Sequence, residues 1–337
     1  MICRSFASSR LSLVSFLLAA SLLVGCASAE VSEPGDAAPP VSTVPTLIAG
    51  TYDLAGTLDL QTLPAPADYL LGELGAATDQ PDDPARYLVD RMVAALPDGT
   101  FKSVATGLAP YIAPYIQVEL DRIAPHFAPG IRQLATGLAT IAHHMTPIER
   151  MIIATDGLAT RALIGLQFGP TPCDLAANGA PDALAITRVA IDGAGKLALA
   201  GHKMQLPYGE MLRLGLDRAV IPSIDLAAGN LADTLRDLVD CHALGATFAA
   251  HAGLGSPALY ETACAAAMTG LASDVYRKLA AIDDAPFTLD VSGTALGVDL
   301  DGNGTMDEIR TGTWTGTATY AGTKGPLGAA TFAGTRE

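Results

Sequence analysis

The sequence predicts an α+β fold, in which an antiparallel β-sheet or partial barrel of about six strands packs against a multi-helix layer. Three observations carry this. Thr51–Leu60 alternates, with Tyr52, Leu54, Leu58 and Leu60 on one side and Thr51, Asp53, Thr57 and Asp59 on the other, the period of a half-buried strand. Positions 112, 116, 120, 123, 127, 131, 134, 138 and 141 are all apolar at steps of 4 and 3, the period of a helix face. From Phe287 to the end the chain is rich in Thr, Gly and aromatic residues in an alternating pattern, which reads as three or four strands.

The remaining elements follow in chain order. Asp83-Pro84 opens a helix that stops at Pro97-Asp98-Gly99, with Asp as cap and Pro in the first turn. Pro110, Pro114, Pro125 and Pro129 interrupt the long apolar track, so successive short or kinked helices are expected there. Thr146-Pro147-Ile148-Glu149 has the form of a capping box, which places another helix as far as Phe168. Leu184–Asp192 and Lys196–Lys203 flank Gly193-Ala194-Gly195 as a hairpin. Helical spacing returns over Pro207–Val220. It returns again in the stripe Tyr260, Cys264, Met268, Leu271, Val275, Leu279 and Ile282. The body is thus a single unit over 47–337, helix-rich at 80–168 and 207–283, and β-rich at 47–60, 184–204 and 287–335.

Of the 337 residues 50% are apolar and only 16% charged, with a net charge of −15. A disordered chain would show the opposite balance, and a nucleic-acid surface would need clustered Lys and Arg. Nucleic acid is therefore not an expected partner.

The N-terminus carries an address. Met1–Arg10 is a short basic segment, Leu11–Leu22 is apolar but too short to span a bilayer, and Leu23-Val24-Gly25-Cys26 follows. The last four residues resemble the lipobox of bacterial lipoproteins, in which the cysteine is acylated and becomes the new N-terminus. The resemblance implies a signal peptide over 1–25, lipidation of Cys26 and anchorage of the protein to a bilayer. Ala27 rather than Asp after the cysteine points to the outer membrane of a Gram-negative envelope. The alternative is an ordinary signal peptide cut at Ala27-Ser28-Ala29. Residues 26–46, with four prolines in EVSEPGDAAPPVSTVPT, read as a flexible tether.

An exported chain can hold disulfides. Cys241 follows one helical stretch and Cys264 lies on the stripe of another, so adjacent helices can bring them to bridging distance. The alternative is three small buried thiols, and Cys173, in PTPCD, could pair with either.

Asp299, Asp301, Asn303, Gly304 and Asp307 occupy positions 1, 3, 5, 6 and 9 of an EF-hand-like loop, and Thr305 at position 7 can offer its carbonyl. Carboxylates at alternate residues of a tight turn converge on one centre, and calcium takes 6–8 oxygens. Arg310 stands at position 12, where a bidentate carboxylate belongs. With strand-like flanks, the expected site is structural calcium of low affinity; the alternative is a polar hairpin turn.

The CHALG…ETAC helical pair together with the terminal VDLDGNGTMDEIRTGTWTGTATYAGTKGPLGAATFAGTR segment resembles lipoproteins of myxobacterium-like Gram-negative bacteria. The resemblance covers about the last third of the chain. It implies the envelope address and the calcium loop, and no activity.

No HExxH, GxSxG or nucleotide-binding loop is present. Ser256 in GLGSPAL reads as a helix cap, and His143-His144 with Glu149 as helix-end histidines. Cys241-His242 with His251 would lose its thiolate to a disulfide, and Trp314 reads as sheet packing. Two function classes remain. One is a non-catalytic envelope module that binds an apolar ligand or a partner protein. The other is a hydrolase-like enzyme whose Asp, Glu and His converge only in three dimensions. Because acyl chains alone would hold the chain at the bilayer, Cys26→Ser is expected to move the protein from the membrane to the soluble fraction. Sedimentation with membranes after a high-salt wash would contradict the lipobox assignment.

Overall fold

The first and last strands of the chain lie side by side. In the computed structural model, which describes residues 43–79, 84–169, 171–175 and 183–337, β1 (Gly50–Leu60) pairs antiparallel with β10 (Thr323–Arg336) from Tyr52↔Arg336 to Leu60↔Leu327. The pairing closes an eight-stranded antiparallel barrel in the order β1, β3 (Pro147–Ile153), β4 (Leu158–Phe168), β6 (Ala183–Ile191), β7 (Lys196–Leu206), β8 (Phe287–Val298), β9 (Glu308–Tyr320) and β10. Two short strands are added outside this ring, β2 (His144–Met145) on β1 and β5 (Thr171–Asp174) on β4. The α+β class is as expected, but the sheet has more strands than about six and the barrel is closed. Cys26 and the signal segment lie outside the described residues.

Closure requires close backbone approach. A side chain at Gly56 would strike the Thr331 carbonyl, and one at Gly334 would strike Leu54. Small residues at these two points let β1 and β10 reach hydrogen-bonding distance.

The two additional long strands arise where a helix was expected. Residues 147–168 form β3 and β4 around a turn at Ala154–Gly157, in which Gly157 takes φ +77°. Residues Thr146–Glu149 are thus a strand entry and not a capping box. Inward positions on β3 are Glu149, Met151 and Ile153, and on β4 they include Ala159, Arg161 and Leu163. The inward Glu and Arg broke the apolar alternation that marks a strand in sequence.

Those two residues meet inside the barrel. Arg161 and Glu149, 0% and 4% exposed, form a two-point ion pair, with Nη2 donating to Oε1 at 2.7 Å and Nε donating to Oε2. The guanidinium lies 3.9 Å from the Trp314 ring centroid, and Trp314 in turn stacks on Phe332 at 4.2 Å. Arg161 Nη1 is 2.9 Å from His202 Nε2, while His202 Nδ1 is 2.9 Å from the Ala200 carbonyl. An arginine can only donate, so Nε2 is the acceptor, Nδ1 carries the proton and the ring is neutral. A register shift between Leu199 and His202 in β7 re-aims the strand, as bulges do, and turns His202 inward.

The helices lie at one end of the barrel. Leu60 leads into α1 (Ala65–Asp79), α2 (Pro84–Ala94), α3 (Thr100–Val118), the single turn α4 (Leu120–Ile123) and α5 (Phe127–His143), which returns to β2. Leu206 leads into a second run of α6 (Tyr208–Gly215), a π-helical turn over Leu216–Val220, α7 (Ile221–Ile224), α8 (Leu231–Asp237), α9 (Cys241–Ala252) and α10 (Pro257–Ile282), which returns to β8. The expected apolar track is buried from Ile112 to Leu138. Pro125 falls in the break before α5, whereas Pro110 and Pro114 are accommodated inside α3.

All seven residues of the Tyr260–Ile282 stripe are buried. Cys241, at the start of α9, is disulfide-bonded to Cys264 of α10 with Cα atoms 5.5 Å apart, a link worth about 3 kcal/mol for a loop of this length. Cys173 is buried in β5. Among the described residues no helix is long and apolar enough to cross a membrane.

Burial lowers the His202 pKa from its ordinary 6.5, the Arg161 charge lowers it further, and the bond to the Ala200 carbonyl opposes both. A histidine whose folded pKa is depressed contributes stability that is complete above about pH 6.5 and is lost as pH falls below that value. Thermal stability is therefore expected to fall on acidification from pH 7.5 to 5.5, and His202→Gln should flatten that dependence. His242, whose pKa is raised first by its bond to Glu261, acts in the opposite sense but is exposed and screened. An unchanged pH profile in His202→Gln would exclude His202 as the titrating group.

Candidate metal centre

The barrel end opposite the helices carries the turns at Ala154–Gly157 and Asp192–Gly195, together with the long β8–β9 loop. In that loop the carboxylate oxygens of Asp299, Asp301 and Asp307 approach within 4.8 Å of one another, so the three could share a metal ion. The three residues differ in environment. Asp299 is fully buried, Asp307 is partly exposed and Asp301 is exposed.

The loop is shaped by its own carboxylates. Asp299 accepts from the Gly302 and Gly304 backbone N–H groups, each at 2.8 Å, and from the Thr43 hydroxyl at 2.7 Å. Asp301 accepts from the Asn303 N–H at 3.1 Å, Asn303 Oδ1 accepts from the Thr305 N–H at 2.7 Å, and Asp307 accepts from the Leu300 N–H at 2.8 Å. Gly302 and Gly304 take φ +75° and +86°, a conformation that costs a glycine nothing. Burial alone would raise the Asp299 pKa. The bonds it accepts from Thr43, Gly304 and Gly302, with its interaction with Asp301, outweigh burial and hold the carboxyl below the usual range. The turn that brings the carboxylates together is thus built from hydrogen bonds within the loop.

Residues before β1 are tied to the same loop. Thr43 pairs with Asp299, the Thr46 and Leu47 N–H groups donate to the Gly304 carbonyl at 2.9 Å each, and Met306 N–H donates to the Leu47 carbonyl at 2.9 Å. Tyr52, buried at the start of the barrel, donates to the Met306 carbonyl at 3.1 Å. The last residues of the expected tether, 43–46, are therefore docked on the barrel. Nothing in their composition announces this, because the bonds are mostly to backbone. Arg310 turns to Glu308 and supplies no oxygen.

The other sequence candidates separate in space. Ser256 caps α10 by accepting from the Leu259 N–H at 3.3 Å. His143 bonds the Leu60 carbonyl at 2.8 Å and His144 pairs with Asp59 at 2.8 Å, while Glu149 is inside the barrel with Arg161. His242 pairs with Glu261 at 3.0 Å and His251 stacks on Tyr115 at 4.6 Å, so Cys241, His242 and His251 each have other partners.

A cleft of about 380 Å³ that the sequence did not reveal lies between the start of α5 and the α7–α8 segment, lined by His126, Gln133, Asp225 and Asp237 among others. Burial raises the Asp237 pKa. A hydrogen bond with Asp225 and the charges of Asp225 and Asp233 raise it further, against the pull of Arg236. Asp225 follows the end of α7 whereas Asp233 and Asp237 lie in α8, and their spacing carries no motif.

No family model, no curated protein and no solved structure matches the chain.

Because Asp299 organises the turn and anchors Thr43, whereas the exposed Asp301 accepts from Asn303 alone among backbone and amide donors, the two should differ on substitution in calcium-free buffer. Asp299→Asn is expected to lower the melting temperature by several degrees and Asp301→Asn hardly at all. Equal effects would show that the loop does not depend on the buried carboxylate.

Proposed function

We propose that the protein is a non-catalytic, lipid-anchored envelope module that binds a partner protein, with calcium as a structural ion in the β8–β9 loop. The anchor follows from the lipobox at Cys26, and the envelope, outer-membrane address from the same segment. The observation that carries partner binding is the outer face of α3, where Val104, Tyr111, Tyr115 and Val118 are 45%, 73%, 56% and 85% exposed. No Asp, Glu, Lys or Arg interrupts residues 103–118. Tyrosines in an uncharged setting are typical of the centre of a protein interface. A second apolar area, Ile152, Leu158, Leu184 and Ile186 on the outer wall of β3, β4 and β6, lies apart from it. Of the two ligand classes, an apolar small molecule has less support, since Trp314, Phe332, Arg161 and Tyr52 occupy the barrel interior.

A photo-crosslinking amino acid placed at Tyr111 in the envelope-borne protein tests this. The expected result is a protein adduct absent when the same group stands at Thr315 on the barrel wall. Lipid adducts alone, or none, would contradict the reading.

The oxygen-only donor set suits a hard cation, and Asp299, Asp301, Asn303, Thr305 and Asp307 would hold calcium, which tolerates irregular coordination better than magnesium. With Arg310 in place of the last carboxylate, affinity belongs in the weak range of extracellular modules. Calcium at a hundredfold over Kd would stabilise by about 2.7 kcal/mol. Millimolar calcium should raise the melting temperature, chelator should reverse the rise, and Asp301→Ala should abolish most of it while Glu308→Ala should not. An unmoved melting curve with no heat of binding at several millimolar calcium would leave only a polar turn.

The enzymatic alternative has one supporting observation, the Asp225–Asp237 pair lining the same cleft as His126. A carboxyl whose pKa is raised by a neighbouring carboxyl is the arrangement acid–base hydrolysis uses. Loss of a hydrolytic activity in Asp237→Asn with the fold intact would favour it over the binding reading.

A further inference from the structure

We propose that the partner at α3 is a second copy of this chain, packed α3 to α3 in antiparallel fashion about Tyr111. The inference rests on the partner-binding reading and names the partner. Its basis is spacing. Val104, Leu108, Tyr111, Tyr115 and Val118 follow one another at steps of 4, 3, 4 and 3, the seam of a helix that packs lengthwise on another helix. Leu108 is partly buried and the other four are exposed. The opposite face of the same helix, Ala105, Ala109, Ile112, Ala113 and Ile116, is already buried in the body. The helix therefore carries two apolar faces: the fold buries one, and on the other it engages Leu108 in part and the Tyr115 ring, which stacks on His251 of α9.

The seam is nearly symmetric about Tyr111. In an antiparallel pair Tyr111 meets its mate at the two-fold axis, Val104 of one copy meets Val118 of the other, and Leu108 meets Tyr115. A two-fold interface needs such self-complementarity. Charge selects the same face. Copies carrying −15 each repel at close range unless the touching surfaces are neutral, and the α3 face carries no charged side chain from Ser103 to Val118.

A lipid surface fits less well. Pro110 and Pro114 have no N–H, so the carbonyls of Thr106 and Pro110 lack their helical donors. Open carbonyls are tolerated beside water at the rim of a protein interface and are costly in hydrocarbon. A single helix seam falls below the roughly 1,200 Å² of a stable complex, so the pair should be weak in dilute solution. It should be well populated where anchorage raises the local concentration toward the millimolar range.

Cysteine crosslinking of the full chain in envelope membranes tests this directly. Mild oxidation of Tyr111→Cys should give a disulfide-linked species of twice the chain mass, reversed by reductant. The Val104→Cys/Val118→Cys double variant should do the same, whereas Val104→Cys alone, and Thr106→Cys off the seam, should not. Adding Val118→Glu to Tyr111→Cys should reduce the crosslink at least about tenfold, since it places a charge against the seam, while the melting curve stays unchanged because Val118 is exposed. Absence of the Tyr111→Cys dimer, or equal crosslinking through Thr106→Cys, would overturn self-pairing. A photo-crosslink from position 111 to a different protein, with no self-crosslink, would overturn self-pairing and leave the partner-binding reading standing. No protein adduct of any kind would remove both.

Discussion

The pairing of β1 with β10 is the constraint on which the rest of the structure depends. Without it β1 and β10 would be the two free edges of a long, strongly twisted sheet, each presenting unpaired backbone groups. With it every strand of the ring has two neighbours, and inward side chains meet in one core. Closure also sorts the connections. Both helical excursions leave and re-enter at one barrel end, which they share with the β9–β10 turn, and the β3–β4 and β6–β7 turns and the acidic loop occupy the other. The helices therefore pack around α10, stapled by Cys241–Cys264, and extend the barrel core at that end.

The barrel interior is specified by one charged cluster in an otherwise apolar filling. Removing a charge from water is costly, and Arg161 recovers that cost through two bonds to Glu149, one to His202 and the face of Trp314. The bulge in β7 that turns His202 inward belongs to the same arrangement, because without it the Nη1 donor would face no acceptor. Such a cluster fixes the register of four strands, β3, β4, β7 and β9, since a slip of one residue would expose one member and strand the others.

Much of the architecture was legible in the sequence, and the exceptions share a cause. Strands whose inward positions are all apolar, such as Tyr52–Leu60, and helices with an unbroken stripe, such as Tyr260–Ile282, announce themselves through period alone. β3 and β4 do not, because Glu149 and Arg161 occupy core positions and become intelligible only as a pair. The same Glu149, three residues after Thr146, then imitates a helix cap. Closure is invisible for a different reason, since it joins residues more than 250 positions apart, and so is the Asp225–Asp237 cleft, which the start of α5 and the α7–α8 segment assemble. The acidic loop was the easiest feature to find because all its carboxylates lie within nine residues. What the sequence withheld was that the loop holds Thr43, Thr46 and Leu47, contacts made largely through backbone atoms.

On the proposed function, anchorage and partner binding fall at opposite ends of the barrel. Residues 43–47 lie against the acidic loop, where the proposed tether would end, and the helical end with its uncharged α3 face is on the far side of the barrel. That separation, like the rest of the architecture, requires the barrel to be closed. Amide hydrogen exchange tests that requirement most directly. The account predicts that β1 amides from Tyr52 to Leu58 and their β10 partners exchange as slowly as those of the interior pair β8–β9, and that the two sets open together. Rapid exchange of β1 or β10, with β8 and β9 still protected, would mean an open sheet and would contradict the closed barrel.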